Sequence, residues 1–233
     1  MTTRLVKHTK LTKRQIKEDP LVTAAFRGTQ VWEAHGSRIL VVLGVVALAV
    51  LLVFFVARAR SQAEERASAD LFKAELSVGS NDFATALQML KEIVDGSPGT
   101  KAARTAMMYL GDTYMGQGKP ADAVTWYRKA LAKSGNDVIA KTASVNGLAA
   151  ALEDRGDFAQ AAANYEELAK LGTTDNQRAR AMLAQARCLA KAGQAPKAIA
   201  VYTQVQRLPV VDMEYYNAAG FGLGELSTGT ATP

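Results

Sequence analysis

A single cysteine, Cys188, leaves this sequence without an intramolecular disulfide, which excludes a small disulfide-stapled scaffold. Histidine is almost as scarce. His8 and His35 are the only two, and with Cys188 they do not make a zinc site of His and Cys ligands at helix spacing. The long stretch after His35 therefore has no Ser-His or Cys-His arrangement for nucleophilic catalysis. Proline is limited to 6 residues and aromatics to 7%. Outside one apolar run, no segment shows the Val/Ile/Thr alternation of a half-buried strand. Abundant alanine with little proline favours helices.

Other potential chemistry is also thin. The paired acids Glu64-Glu65, Glu153-Asp154 and Glu166-Glu167 point in different directions on a helix and read as solvated faces. Gly220-Phe221-Gly222-Leu223-Gly224 lacks the preceding strand and the following Lys-Ser/Thr of a phosphate loop; close helix packing explains it better. The sequence thus predicts no enzyme, no cofactor, no metal and no small-molecule substrate.

The formal charge of +6 is unevenly placed. Residues 1–38 hold eight Lys/Arg against three Asp/Glu, and residues 39–233 hold twenty against nineteen. The basic character belongs to a short tail, so the nearly neutral remainder carries no nucleic-acid footprint.

Ile39 to Ala57 is nineteen residues without a charged or polar side chain, fifteen of them Leu, Ile, Val or Phe. As a helix it spans about 28 Å, close to the ~30 Å hydrocarbon core of a bilayer. Its insertion is favourable by roughly 5–9 kcal/mol. The run is too long for a strand or for the apolar part of a cleaved leader, so it predicts a transmembrane helix in contact with lipid. The whole tail carries eight Lys/Arg, whereas the first twenty residues after the run carry four, Arg58, Arg60, Arg66 and Lys73. This places the tail inside and the C-terminal domain outside. A count of twenty residues on each side gives two against four and the opposite answer; a short tail counted whole carries more weight. Within the tail, Thr12 reads as a helix cap, and Asp19-Pro20 as an N-cap with proline at the first helical position. Leu21, Val22, Ala25 and Phe26 follow at helical spacing. Two readings stand: a surface helix on headgroups or a partner, or a topology signal alone.

The remaining residues repeat. The turns at Asn81, Gly118, Gly156 and Gly193 are spaced by 37, 38 and 37. Five residues on stand Ala86, Ala123, Ala161 and Ala198; nine on, Leu90, Tyr127, Tyr165 and Tyr202; seven back, Ala74, Gly111, Ala149 and Ala186. Small residues at matched offsets let two helices approach closely, a turn glycine ends the first helix, and the aromatic fills the groove against the next unit. Stacking then buries the face each unit leaves open.

The series Gly118, Ala123, Tyr127, Ala130, with Gly111 and Tyr114 before it and Pro98 at a repeat end, resembles the tetratricopeptide repeat over roughly residues 62–226. The sequence departs from that pattern in its 37–38-residue period, in a first unit without the glycine or aromatic, and in a last unit, Asp212 to Leu226, without a second helix. The resemblance implies an α-solenoid of about four and a half helix pairs, and with the one transmembrane helix read from the apolar run the expected fold is all-α. The expected organisation is a basic tail over 1–38, the membrane helix over 39–57, the solenoid over 58–226 and a disordered tail over 227–233. The composite of KRQIKEDPLV in the tail, one membrane helix and alanine-rich repeats is also similar to the bacterial YfgM-like family. That resemblance implies an inner-membrane protein with an N-terminus in the cytoplasm and repeats in the periplasm. It further implies association with the Sec translocon and periplasmic chaperones.

The function that follows is a membrane-anchored scaffold, chaperone-like, holding exported or membrane proteins near the translocon. The alternative is a structural or assembly subunit of a larger membrane complex. Tyr127, Tyr165 and Tyr202 are expected in the core. First-helix residues, which line the groove of such arrays, are the expected protein contacts: Tyr114, Tyr109, Arg104, Lys141 and Arg178. Arg180, Tyr215 and Tyr216 also lie on first helices.

Overall fold

The computed structural model describes residues 20–229. Among them every regular element is an α-helix. These are α1 (Pro20–Gly79), α2 (Phe83–Gly96), α3 (Lys101–Gly116), α4 (Pro120–Lys133), α5 (Val138–Asp154), α6 (Phe158–Leu171), α7 (Asp175–Lys191), α8 (Ala195–Gln206) and α9 (Met213–Thr228). The chain divides into two compact units, the first through Ala59 and the second from Arg60.

In the first unit α1 is described from Pro20 onward, and the Asp19 cap expected before it lies outside the described residues. The Thr12 cap and the rest of the tail through Asp19 lie outside the described residues. The large apolar side chains from Leu40 to Val56 are each between 51% and 69% exposed. Among the described residues they are left uncovered, unlike the core helix of a soluble domain.

The second unit consists of the Arg60–Gly79 part of α1 paired with α2, then the pairs α3/α4, α5/α6 and α7/α8, then α9 alone. This is the expected four and a half pairs. Each turn within a pair is built alike. Asn81, Gly118, Gly156 and Gly193 have φ of 59°, 68°, 87° and 72°. Two amides then bond back to the preceding helix, as Gly118 N does to Met115 O at 2.9 Å and Lys119 N to Tyr114 O at 2.9 Å. This is the Schellman closure. In the first unit Asn81 takes the glycine's place, since asparagine tolerates the left-handed region better than other side chains. Helix starts are capped by Asp82, Thr100, Asp137 and Thr174, each accepting a backbone N–H of the first turn. Pro120 and Pro196 open α4 and α8.

The residues at all three repeating offsets are buried. Ala74, Ala86, Ala123, Ala149, Ala161, Ala186 and Ala198 are inaccessible, and Leu90, Tyr127, Tyr165 and Tyr202 are at most 8% exposed. Tyr127 lies between two first helices. A Cβ on Gly111 of its own unit would stand 2.6 Å from its ring, and one on Gly147 of the next unit 2.4 Å. Tyr202 meets Gly222 of α9 in the same way, at 2.4 Å. The glycine-rich stretch of α9 is thus a packing surface, at least at Gly222.

The helix α9 continues through Thr228, which corrects the expected tail boundary at 227. The Ser227 and Thr228 hydroxyls donate to Gly224 O at 2.8 and 3.1 Å, and Gly229 closes the helix in the left-handed conformation. Residues 230–233 lie outside the described residues.

Candidate functional site: a cleft between first helices

Successive first helices are tied together at their N-termini by polar latches. Glu64 of α1 accepts from Lys101 N and Ala102 N at 2.7 and 3.0 Å. Arg104 of α3 reaches Asp137, the cap of α5, at 3.4 Å. Asp175 accepts from Val210 N at 3.0 Å, and Asn176 exchanges hydrogen bonds with Asp212 at 2.9 and 2.7 Å. Between α5 and α7 no such latch exists among the described residues. There Thr173 and Gln177 bond to each other, with the Gln177 amide oxygen turned back onto the cap of its own helix.

The unlatched seam opens into a cleft of about 730 Å³, within the usual range of roughly 300–1,000 Å³ for ligand sites. Val138 and Ile139 from α5 form one lip, 60% and 83% exposed. Leu168 and Leu171 of α6 and Leu183 of α7 continue the apolar wall, and Tyr215 of α9 closes one end. The polar lining comes from Asn146, Gln177, Arg180 and Arg187.

A fixed network stiffens the floor. The Tyr165 hydroxyl donates to Glu153 Oε2 at 3.2 Å. Arg187 grips the same carboxylate through Nε and Nη2 at 2.9 and 3.0 Å, and Lys191 approaches at 3.4 Å. Burial pushes the Glu153 carboxyl up, and the Arg187 and Lys191 cations outweigh it, so the group sits below its ordinary value. Burial, with the Glu153 charge beside it, raises the Tyr165 phenol. The same two causes push the Cys188 thiol, buried next to this network, up to about 12. Nothing here makes a nucleophile with a base. The described residues contain no cluster of His, Cys, Asp and Glu able to hold a metal ion. The arrangement can bury apolar side chains and pair with charge.

The residues expected to make contacts do not converge. Tyr109 is half-buried against the cluster around Leu71, Leu90 and Leu110; burial and then the Glu75 carboxylate raise its phenol. Tyr114 is half-buried against the other core cluster, and Lys91 of α2 lies 5.9 Å from its ring. Arg104 is committed to Asp137, Lys141 to Glu167 at 2.9 Å, and Arg178 to Asp175. Tyr109 and Tyr114 thus pack on the two core clusters, and Arg104, Lys141 and Arg178 hold local ion pairs. Of the other first-helix candidates, Arg180 and Tyr215 line the cleft. The apolar lip was missed, although the sequence carries a signal for it. Val138-Ile139 directly follows the cap Asp137, where α3 has Lys101-Ala102 and α7 has Asp175-Asn176.

Stacked helix pairs with an open cleft between first helices define an α-solenoid for binding protein segments. The tetratricopeptide repeat profile matches residues 71–138 and 146–209, more than half of the chain. The chain belongs to the tetratricopeptide repeat family, whose fold is a protein-interaction scaffold. It is similar to a crystal structure of nearly identical TPR-like repeats from Podosopora anserina, at 17% identity and a TM-score of 0.58, covering 72% of this chain and 88% of that one. A point variant of those repeats gives 16% identity and a TM-score of 0.57 over 72% and 87%. No curated protein matches this chain.

Proposed function

We propose that this protein is a membrane-tethered, chaperone-like scaffold that holds segments of exported or membrane proteins in the cleft between α5 and α7, close to the Sec translocon. The observation that carries the reading is that cleft: two exposed apolar side chains, Val138 and Ile139, stand at its lip, and no other described segment covers them. Exposed apolar side chains at the lip of a cleft mark a contact site. The tether is the apolar stretch of α1, which is long and apolar enough to cross a bilayer. The basic tail supports an N-terminus in the cytoplasm and repeats in the periplasm of a bacterial inner membrane. Tethering raises the local concentration of clients, so weak contacts in the cleft suffice.

The test is purification of the tagged full-length protein from its membranes in mild detergent, with mass spectrometry of what is retained. The expected result is translocon subunits plus a varied set of exported proteins. In Ile139→Glu the exported proteins should be lost and the translocon kept. One fixed partner set at constant ratio, indifferent to Ile139, would instead make the protein an assembly subunit of a membrane complex.

A further inference from the structure

We infer that two copies of this chain pair through α9, antiparallel about a twofold axis, with Phe221 of each copy seated on Gly224 of the other. The pairing uses the tether of the proposed function and is independent of its cleft.

The phase of the repeat says what fits on Gly224. Gly222 meets the Tyr202 ring as Gly147 meets that of Tyr127. These two glycines are 75 residues apart, two repeat lengths, so α9 is in phase with the first helices before it. A second series of small residues then runs Gly111, Ala149, Ala186 and Gly224, at spacings of 38, 37 and 38. The first three are buried. At Gly111 the cover is an aromatic from the second helix of its own unit, since a Cβ there would stand 2.6 Å from the Tyr127 ring. That helix runs antiparallel to the first across the tight turn. Gly224 is exposed, and a Cβ on it would meet nothing within 4 Å among the described residues. The occupant that fits is therefore an antiparallel helix carrying an aromatic.

The helix α9 carries one itself. Phe221 is 71% exposed, and Asn217, Phe221, Gly224 and Thr228 form one exposed stripe at spacings of four, three and four. Consider an antiparallel pair whose twofold axis passes between residues 222 and 223. Phe221 then faces Gly224 of the other copy, and Gly224 faces Phe221, so knob and hole meet twice, as an isologous contact requires. The same register sets Asn217 opposite Thr228, amide against hydroxyl, and Glu225 opposite Gly220 rather than another acid. A second copy supplies knob and hole in this register by symmetry alone. The contact is small. One face of a 16-residue helix offers less than the ~800 Å² that each partner of a stable complex buries. Pairing therefore depends on concentration, which a shared membrane raises.

The test expresses two full-length chains together under different tags, one with Phe221→Cys and the other with Gly224→Cys, and oxidises the membranes with copper phenanthroline. In the mixed pair these two thiols face each other, the second Phe221-on-Gly224 contact stays intact, and Cys188 remains buried. The expected product is a disulfide-linked dimer carrying both tags. Asn217→Cys with Gly224→Cys sets the thiols a helical turn apart, beyond bonding reach, and should give about tenfold less. Adding Phe221→Ser to the Gly224→Cys chain removes the remaining knob and should also lower the yield about tenfold. All three positions are exposed, so the substitutions leave the core alone. Equal yields in the two registers, a yield indifferent to Phe221→Ser, or no two-tag product from chains that resist alkaline extraction overturns the pairing and leaves the tether standing. A product joining one tagged chain to a different protein in place of the second tag gives the face to another partner and overturns the pairing as well. Chains found outside the membrane overturn the tether. The pairing is then read on the purified chains at about 1 mM, the concentration a tether would supply, where absence of the two-tag product overturns it.

Discussion

Two glycines in equivalent helices invite opposite predictions. A Cβ on Gly147 would stand 2.4 Å from the Tyr127 ring, whereas one on Gly224 would meet nothing within 4 Å. Alanine is normally better in a helix than glycine by ~1 kcal/mol. At Gly224 that preference is unopposed, so Gly224→Ala should raise the melting temperature. At Gly147 the ring is pinned between two first helices and its hydroxyl donates to Asp112. Overpacking costs about 1–3 kcal/mol, so Gly147→Ala should lower it; a rise in both variants would show that the ring yields. Glu153 gives a prediction in pH. Its carboxyl sits below the ordinary value of 4.5, so it contributes stability at pH above that value and loses it as pH falls through the lower folded value. Burial holds the Asp112 carboxyl above its ordinary value, so its contribution has the opposite sign and grows as pH falls. Glu153→Gln should therefore flatten the acid limb of stability against pH, measured by denaturant unfolding from pH 7 to 3. A limb as steep as in wild type would mean the Arg187 pair contributes nothing.

At the level of elements, the repeat was legible because the matched offsets hold small or aromatic residues for one steric reason, close approach of two helices. Asn81 shows where such reading falls short: the first turn lacks glycine yet closes in the same left-handed geometry, because the backbone needs the conformation and asparagine supplies it. The candidate contacts were less legible. Helix assignment puts Tyr114 and Arg104 on first helices, but it does not say which face meets a neighbour. Latches such as Arg104–Asp137 join residues 33 apart, a separation that local periodicity does not encode. The latches also make a prediction. Asn176→Ala removes both hydrogen bonds to Asp212 at the start of α9. Hydrogen exchange should then speed up in the first turns of α9 while α3 and α4 keep their protection. Equal loss in both regions would mean that the array opens only as a whole.

For the molecule as a whole, stability in a stacked array is a sum of unit and nearest-neighbour terms, so single helix pairs open locally, while the Glu153–Arg187–Lys191 network holds α5 to α7. The proposed tether belongs to the same scale. With an intact α1 the protein should stay in the pellet after alkaline extraction of membranes, and deletion of 39–57 should release soluble repeats; a pellet-bound deletion would place the attachment elsewhere. Cys188 gives these motions a stopwatch. A thiol this buried, with its ionisation pushed up to about 12, is silent toward alkylating reagents for as long as α7 stays in place, because only the exposed thiolate reacts. With a single cysteine in the chain, every alkylated molecule records one opening of the fourth helix pair. A segment seated in the neighbouring cleft would lengthen the interval between such events.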